Sequence, residues 1–172
     1  MSSYQHDVPP DPTRLRRAWT GLVIEIFRLN GDLLVAGDAL VGDLGLTSAR
    51  WQVLGAIALS PVPLPVAHIA RNMGLTRQAV QRLVDDMRDD GFVRFAPNPH
   101  HRRAMLVVAT EQGDAAYRSA IERQERWADA LTSGLSPEAF EAASTLLREM
   151  QRRIDRSEPA LAALGQSQST GA

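Results

Sequence analysis

Along residues 13–34, the apolar side chains of Leu15, Ala18, Trp19, Leu22, Ile26 and Leu29 recur at three- and four-residue intervals. That spacing gathers them into one stripe on a helix, so the chain is expected to open with a helix from Thr13 to about Leu34. Gly37, Gly42 and Gly45 punctuate the next stretch, after which Thr47 or Ser48 can cap a second helix carrying Trp51, Leu54 and Ile57 to about Ser60. Pro61, Pro63 and Pro65 then permit at most a short edge strand, and Pro65 suits the first turn of another helix. Val66 to Met73 reads as that helix, with Ile69 and Ala70 turned inward. Gly74 stands at a left-handed stop, and Thr76 caps a fourth helix. There Val80, Leu83, Val84 and Met87 follow the i, i+3, i+4, i+7 pattern and are assigned to the core. Gln78, Gln81 and Arg82 then face solvent, with Arg77 on the exposed first turn, and Gly91 ends the helix.

Phe92–Ala96 and Ala104–Ala109 are short β-rich runs on either side of a loop containing Pro97, Asn98 and Pro99, which predicts a hairpin. Thr110 caps a fifth helix running to about Ser133. Ser136 and Pro137 start a sixth running to about Arg156, with Phe140, Ala143, Leu147, Met150 and Ile154 as a seam for another helix. From Ser157 onward the residues are small and polar apart from one ALAAL patch, and disorder is expected. The fold class is therefore mainly α (α+β), with one small hairpin.

Charge changes this picture locally. The chain of 172 residues has a net charge of -1, and every one of its 19 basic residues is Arg. Residues 66–110 hold seven arginines and four acids, leaving twelve and sixteen elsewhere, so the middle is mildly basic within an acidic whole. A helix-turn-helix followed by a hairpin with a basic tip has a physical rationale as a DNA reader. The major groove admits one helix, where Arg matches guanine and Gln matches adenine, and the minor groove can take an Arg from a wing. The helix candidates are Thr76, Arg77, Gln78, Gln81 and Arg82; the wing candidates are His100, Arg102 and Arg103. Asp85, Asp86, Asp89 and Asp90 fit only if the first half of the fourth helix meets DNA and its acidic half stays away from phosphate.

Other chemistry is poorly supplied. There is no cysteine, which removes disulfides and thiol switches and makes the cytoplasm the default location. The first residues lack the pattern of a signal peptide, and the uncharged run 51–67 is broken by prolines, so no membrane segment is expected. No glycine loop to cradle phosphate, no nucleophile paired with a base and no metal-ligand spacing appears, so an enzyme and a bound cofactor are not indicated. Adjacent His100 and His101 point apart on an extended strand and do not suggest a metal. Trp19, Trp51 and Trp127 read as core or interface residues.

The order of these parts is more specific than any one of them. The stretch HIARNMGLTRQAVQRLVDDMRDDGFVRFAPNPHHRRAMLVVATEQG, with LTSARWQVLGAI before it and two long helices after it, resembles the winged helix-turn-helix core of the MarR family of bacterial transcriptional regulators over about residues 13–155. The resemblance implies a homodimer that binds double-stranded DNA at a pseudo-palindromic operator, with repression relieved by a small aromatic or phenolic ligand. It divides the chain into an N-terminal arm (1–12), long dimerisation helices (13–46 and 110–156), a DNA-binding domain (47–109) and a tail (157–172). Trp51 and His68 become pocket candidates because the implied cleft lies near helices 1, 2 and 5. The wing departs from the family, which commonly places acids where this chain has Asn98 and His101, so an acid–Arg clasp is in question. An ordinary histidine titrates near about pH 6.5, hence operator binding is expected to be tighter near pH ~6 than near pH ~8; equal affinities at fixed salt would remove the idea. The competing readings are a winged-helix protein-interaction module and a metal or small-molecule sensor without direct DNA readout.

Overall fold

A computed structural model of the chain describes residues 11–101 and 103–166. Helix α1 (Pro12–Val41) starts where the Asp11 side chain accepts the Thr13 N–H at 2.9 Å, with Pro12 in the first turn. It continues through Gly37, well past the expected end near Leu34. The reason is packing against α2 (Ser48–Ala58). A Cβ on Gly37 would lie 2.0 Å from Ser48 Oγ, so the missing side chain lets the start of α2 approach. There Ser48 Oγ donates to the Leu34 carbonyl at 2.9 Å, and Asp38 accepts the Ser48 N–H at 2.6 Å. A 3-10 turn at Gly42–Leu44 and a left-handed Gly45 make the connection, and Thr47 caps α2 by accepting the Arg50 N–H at 3.3 Å.

The prolines after α2 leave one short edge strand, β1 (Leu64–Pro65), and α3 (Val66–Met73) follows directly, with Pro65 as its N-cap rather than in its first turn. Gly74 takes the left-handed conformation at φ 65°, and the Leu75 N–H donates to the Ala70 carbonyl at 3.0 Å, closing the turn into α4 (Arg77–Asp89). The hairpin strands β2 (Val93–Ala96) and β3 (Leu106–Ala109) are shorter than expected and enclose a longer tip. Their register pairs Val93 with Ala109 and Ala96 with Leu106, and β1 pairs with the other edge of β3, giving the antiparallel order β1-β3-β2.

Leu54, Ile69, Val80, Val84, Met87, Val93 and Val107 are all but fully buried in one core under this sheet, with Leu83 half-buried at its margin. The expected stripe of α4 thus faces inward, as its spacing requires. Helix α5 (Glu111–Thr132) is capped by Thr110, whose Oγ accepts the Gly113 N–H at 3.1 Å. Arg123 on α5 donates to the Leu40 carbonyl at 2.9 Å and forms a bidentate pair with Asp43, one arm at 2.9 Å. This hydrogen bond is the main reason the Asp43 carboxyl sits below its ordinary range.

Residues 1–125 and 126–172 are separate compact units. The second holds the end of α5 and the long helix α6 (Pro137–Gln166), capped by Ser136. Residues 157–166 continue α6, which corrects the expectation of a disordered tail from Ser157: Ala and Leu, the residues of the ALAAL patch, are strong helix formers. The predicted arm, apart from Asp11 and Pro12, and the last part of the tail, 167–172, lie outside the described residues. Among the described residues no helix is long and apolar enough to cross a membrane.

Candidate nucleic-acid interface

Helix α4 is held so that its two halves do different things. Thr76 Oγ accepts the Ala79 N–H at 3.2 Å, so its hydroxyl is committed first to capping. Arg77 and Gln78, which follow it, and Arg82 further along are exposed, and among the described residues their side chains make no hydrogen bond or ion pair. Gln81 differs from the expectation of a solvent-facing residue. It is half-buried, and its amide nitrogen donates to both carboxylate oxygens of Asp85 at 3.3 and 3.2 Å, a pairing that i, i+4 spacing brings within reach.

The acidic half of the helix is partly neutralised within the protein, by two arginines against four aspartates. Arg50 at the start of α2 reaches Asp90 at 2.6 Å, while its other arm donates to the Gly45 carbonyl at 3.2 Å. Arg88 pairs with Asp89 at 2.7 Å and Asp85 at 3.4 Å, and its guanidinium lies 5.7 Å from the centre of the Phe95 ring on β2. Three of the four aspartates therefore have a cationic partner, and uncompensated positive charge remains at the leading end of α4.

Among the described residues, the tip of the hairpin is braced without an acid. Asn98 Oδ1 accepts the His100 N–H at 2.9 Å, and the Ala104 N–H donates to the His101 carbonyl at 3.0 Å. The neutral amide thus closes the turn locally, where a carboxylate would also have added charge. Arg103 is exposed and, among the described residues, unpaired; Arg102, the other wing arginine singled out in the sequence, lies outside the described residues.

A groove of about 950 Å³ runs between these parts. His68 from α3, Arg77 and Gln81 from α4, and His100, His101 and Arg103 from the tip all line it, over a floor that includes Phe95 and Leu106. The fold therefore joins two of the five helix candidates to two wing candidates. Thr76, Gln78 and Arg82 do not line the groove. His68 belongs to this face rather than to a cleft beside α1, α2 and α5; lone exposed histidines give no sequence signal of such a place.

A second concavity, about 690 Å³, opens between α2, α3 and α5. Trp51, Leu59, Met73, Tyr117 and Ile121 give it apolar walls, and Gln52, Asn72 and Gln124 offer amides. The sequence points to Trp51 alone of these. Tyr117 follows the buried Ala116 and stands about one turn before the buried Ala120 on α5, and only the crossing of α5 over α2 reveals that it shares a cavity with Trp51. Among the described residues no group of three or more His, Asp or Glu side chains is placed to hold a metal ion.

Residues 44–104 match the sequence profile described as the MarR family. An uncharacterized protein of Mycobacterium tuberculosis is 35% identical over 129 residues, spanning 75% of this chain and 89% of that protein. Among solved structures, CouR from Rhodococcus jostii RHA1 bound to p-coumaroyl-CoA superposes with a TM-score of 0.68 at 22% identity, covering 75% of this chain and 90% of that one. The Mycobacterium tuberculosis regulator MosR in complex with DNA gives a TM-score of 0.63 at 23% identity, covering 76% and 96%. At that level of identity the likeness to CouR and MosR is one of fold.

Proposed function

Since this chain belongs to the MarR family of winged-helix, DNA-binding transcriptional regulators, we propose that it acts as a homodimeric, ligand-responsive repressor on a pseudo-palindromic operator. The observation that carries this reading is the groove in which Arg77 and Gln81 of α4 meet His100 and Arg103 of the wing. A duplex lying across that groove and the exposed face of α4 beside it would put the first half of α4 in a major groove, with Arg77, Gln78, Gln81 and Arg82 toward base edges, and the wing with His100, Arg102 and Arg103 toward the adjacent minor groove. The paired aspartates of the second half lessen the repulsion that phosphate would otherwise meet. Thr76 anchors the helix start and offers its backbone to phosphate. The DNA complex of MosR, a protein of the same fold, supports this placement.

Apolar side chains exposed on α1 and α6, among them Leu15, Phe27, Leu147 and Ile154, support pairing with a second copy. The cleft beneath Trp51 and Tyr117 is the proposed effector site for a small aromatic or phenolic ligand; the p-coumaroyl-CoA held by CouR supports an aromatic effector.

Selection of bound sequences from random DNA with the purified chain tests the reading. A two-fold symmetric motif is expected. Arg103→Ala should weaken binding to all sequences and lower the salt slope by about one, whereas Arg82→Ala should relax preference at one position by about 1–3 kcal/mol. Absence of salt-dependent duplex binding would leave a winged module with another partner.

A further inference from the structure

Resting on the cleft as the effector site, we infer that it selects an uncharged carbonyl compound, an aromatic amide, ester or thioester, over the corresponding carboxylate. Among the described residues, no Arg, His, Asp or Glu side chain lines the cleft. Its polar groups are the amides of Gln52, Asn72 and Gln124 and the hydroxyls of Ser60 and Tyr117, set among apolar walls. Amides and hydroxyls donate to and accept from a neutral carbonyl or phenol without leaving a charge behind. A carboxylate entering the same space gives up part of its water to the apolar walls and gains no cation among the described lining residues, and a partly desolvated ion without a partner is disfavoured. Arg77, Arg103 and three histidines line the other groove, so of these two concavities the one proposed to meet DNA is cationic and the cleft is neutral. The volume of about 690 Å³ exceeds what a single ring fills, which leaves room for a conjugated or ester-linked extension of the ring.

Calorimetric titration of the full chain with matched pairs tests this: para-hydroxybenzamide against para-hydroxybenzoate, and para-hydroxycinnamamide against para-hydroxycinnamate. The amide of at least one pair should bind about tenfold or more tightly than its acid, the scale of loss expected for an unpartnered ion in a partly dry site. Gln124→Arg, a change at an exposed position of the rim, should raise affinity for the acid and narrow or reverse the ratio. Gln52→Trp, also exposed, should block both partners of each pair by filling the mouth. An acid that binds as tightly as its amide, in titrations that Gln52→Trp still abolishes, overturns the selectivity and leaves the cleft as the effector site. No binding by any of the four compounds, or binding indifferent to Gln52→Trp, overturns the effector site and this inference with it.

Discussion

The winged region and the long helices bury their apolar residues to very different degrees. Val53, Ile69, Val80, Val84 and Val107 have no exposed surface, whereas Phe27 on α1 is 72% exposed and Ile154 on α6 is 52% exposed. The difference shows that the winged region closes a core, to which Val41 of α1 and Ala116 and Ala120 of α5 also contribute, and that the long helices leave other apolar side chains open to water. Water-facing stripes of that size are costly to leave uncovered and mark a contact surface. Under the proposed dimer, the long helices finish folding only by meeting a second copy, and the winged region does not need one.

Substitutions can break or sharpen that contrast. The largest effect is expected inside the closed core: Leu54→Ala should remove about 2–5 kcal/mol of unfolding free energy in a denaturant titration while leaving the association state unchanged. A loss below ~1 kcal/mol would mean the core is looser than its burial implies. Next comes Gly37→Ala, at the seam where α1 meets α2. The new methyl displaces Ser48 and its bonds to Leu34 and Asp38, and about 1–3 kcal/mol should be lost, although alanine favours a helix. Stabilisation by this change would refute the packing account.

Ile154→Asp addresses the open region. It should weaken dimerisation by about tenfold, seen as sedimentation shifting toward the monomer at a given concentration, with little effect on the thermal stability of the winged part. Unaltered sedimentation would place the partner surface elsewhere. The smallest effect is expected where the exposed Asp43 pairs with the half-buried Arg123. The Asp43 carboxyl is held low chiefly by the Arg123 hydrogen bond, so its contribution is present at neutral pH and lost as pH falls through its folded value. Asp43→Asn should therefore lower Tm slightly near neutrality, and the gap to the parent chain should close in acid.

Local rules carry much of the fold. The α4 stripe, the caps at Thr47, Thr76, Thr110 and Ser136, and the left-handed Gly74 are all legible because each rests on neighbours within a turn or two. Gly37 reads as a break in the sequence because its reason lies on α2, eleven residues away and visible only as contact with Ser48. The length of α6 escapes the sequence because the composition after Ser157 resembles a solvated tail, which masks the helical preference of its alanines. At the candidate interface, the basic ends of α4 and the hairpin stand out as charge patterns. The Gln81–Asp85 bond follows the i, i+4 rule within one helix, whereas that Asp90 is held by Arg50 and that His68 shares the groove depend on helix crossings that no spacing rule encodes. The cleft shared by Trp51 and Tyr117 is illegible for the same reason.

The base of the hairpin has an architectural consequence. Thr110 Oγ donates to the Gly91 carbonyl at 2.6 Å, and at Gly113 an added Cβ would lie 2.1 Å from the carbonyl oxygen of Phe92. The stem is thus welded to the first turn of α5 by backbone atoms that tolerate no bulk, while residues 97–101 and 103–105 extend beyond it. A substitution at those tip positions leaves the weld itself in place, because none of them takes part in it.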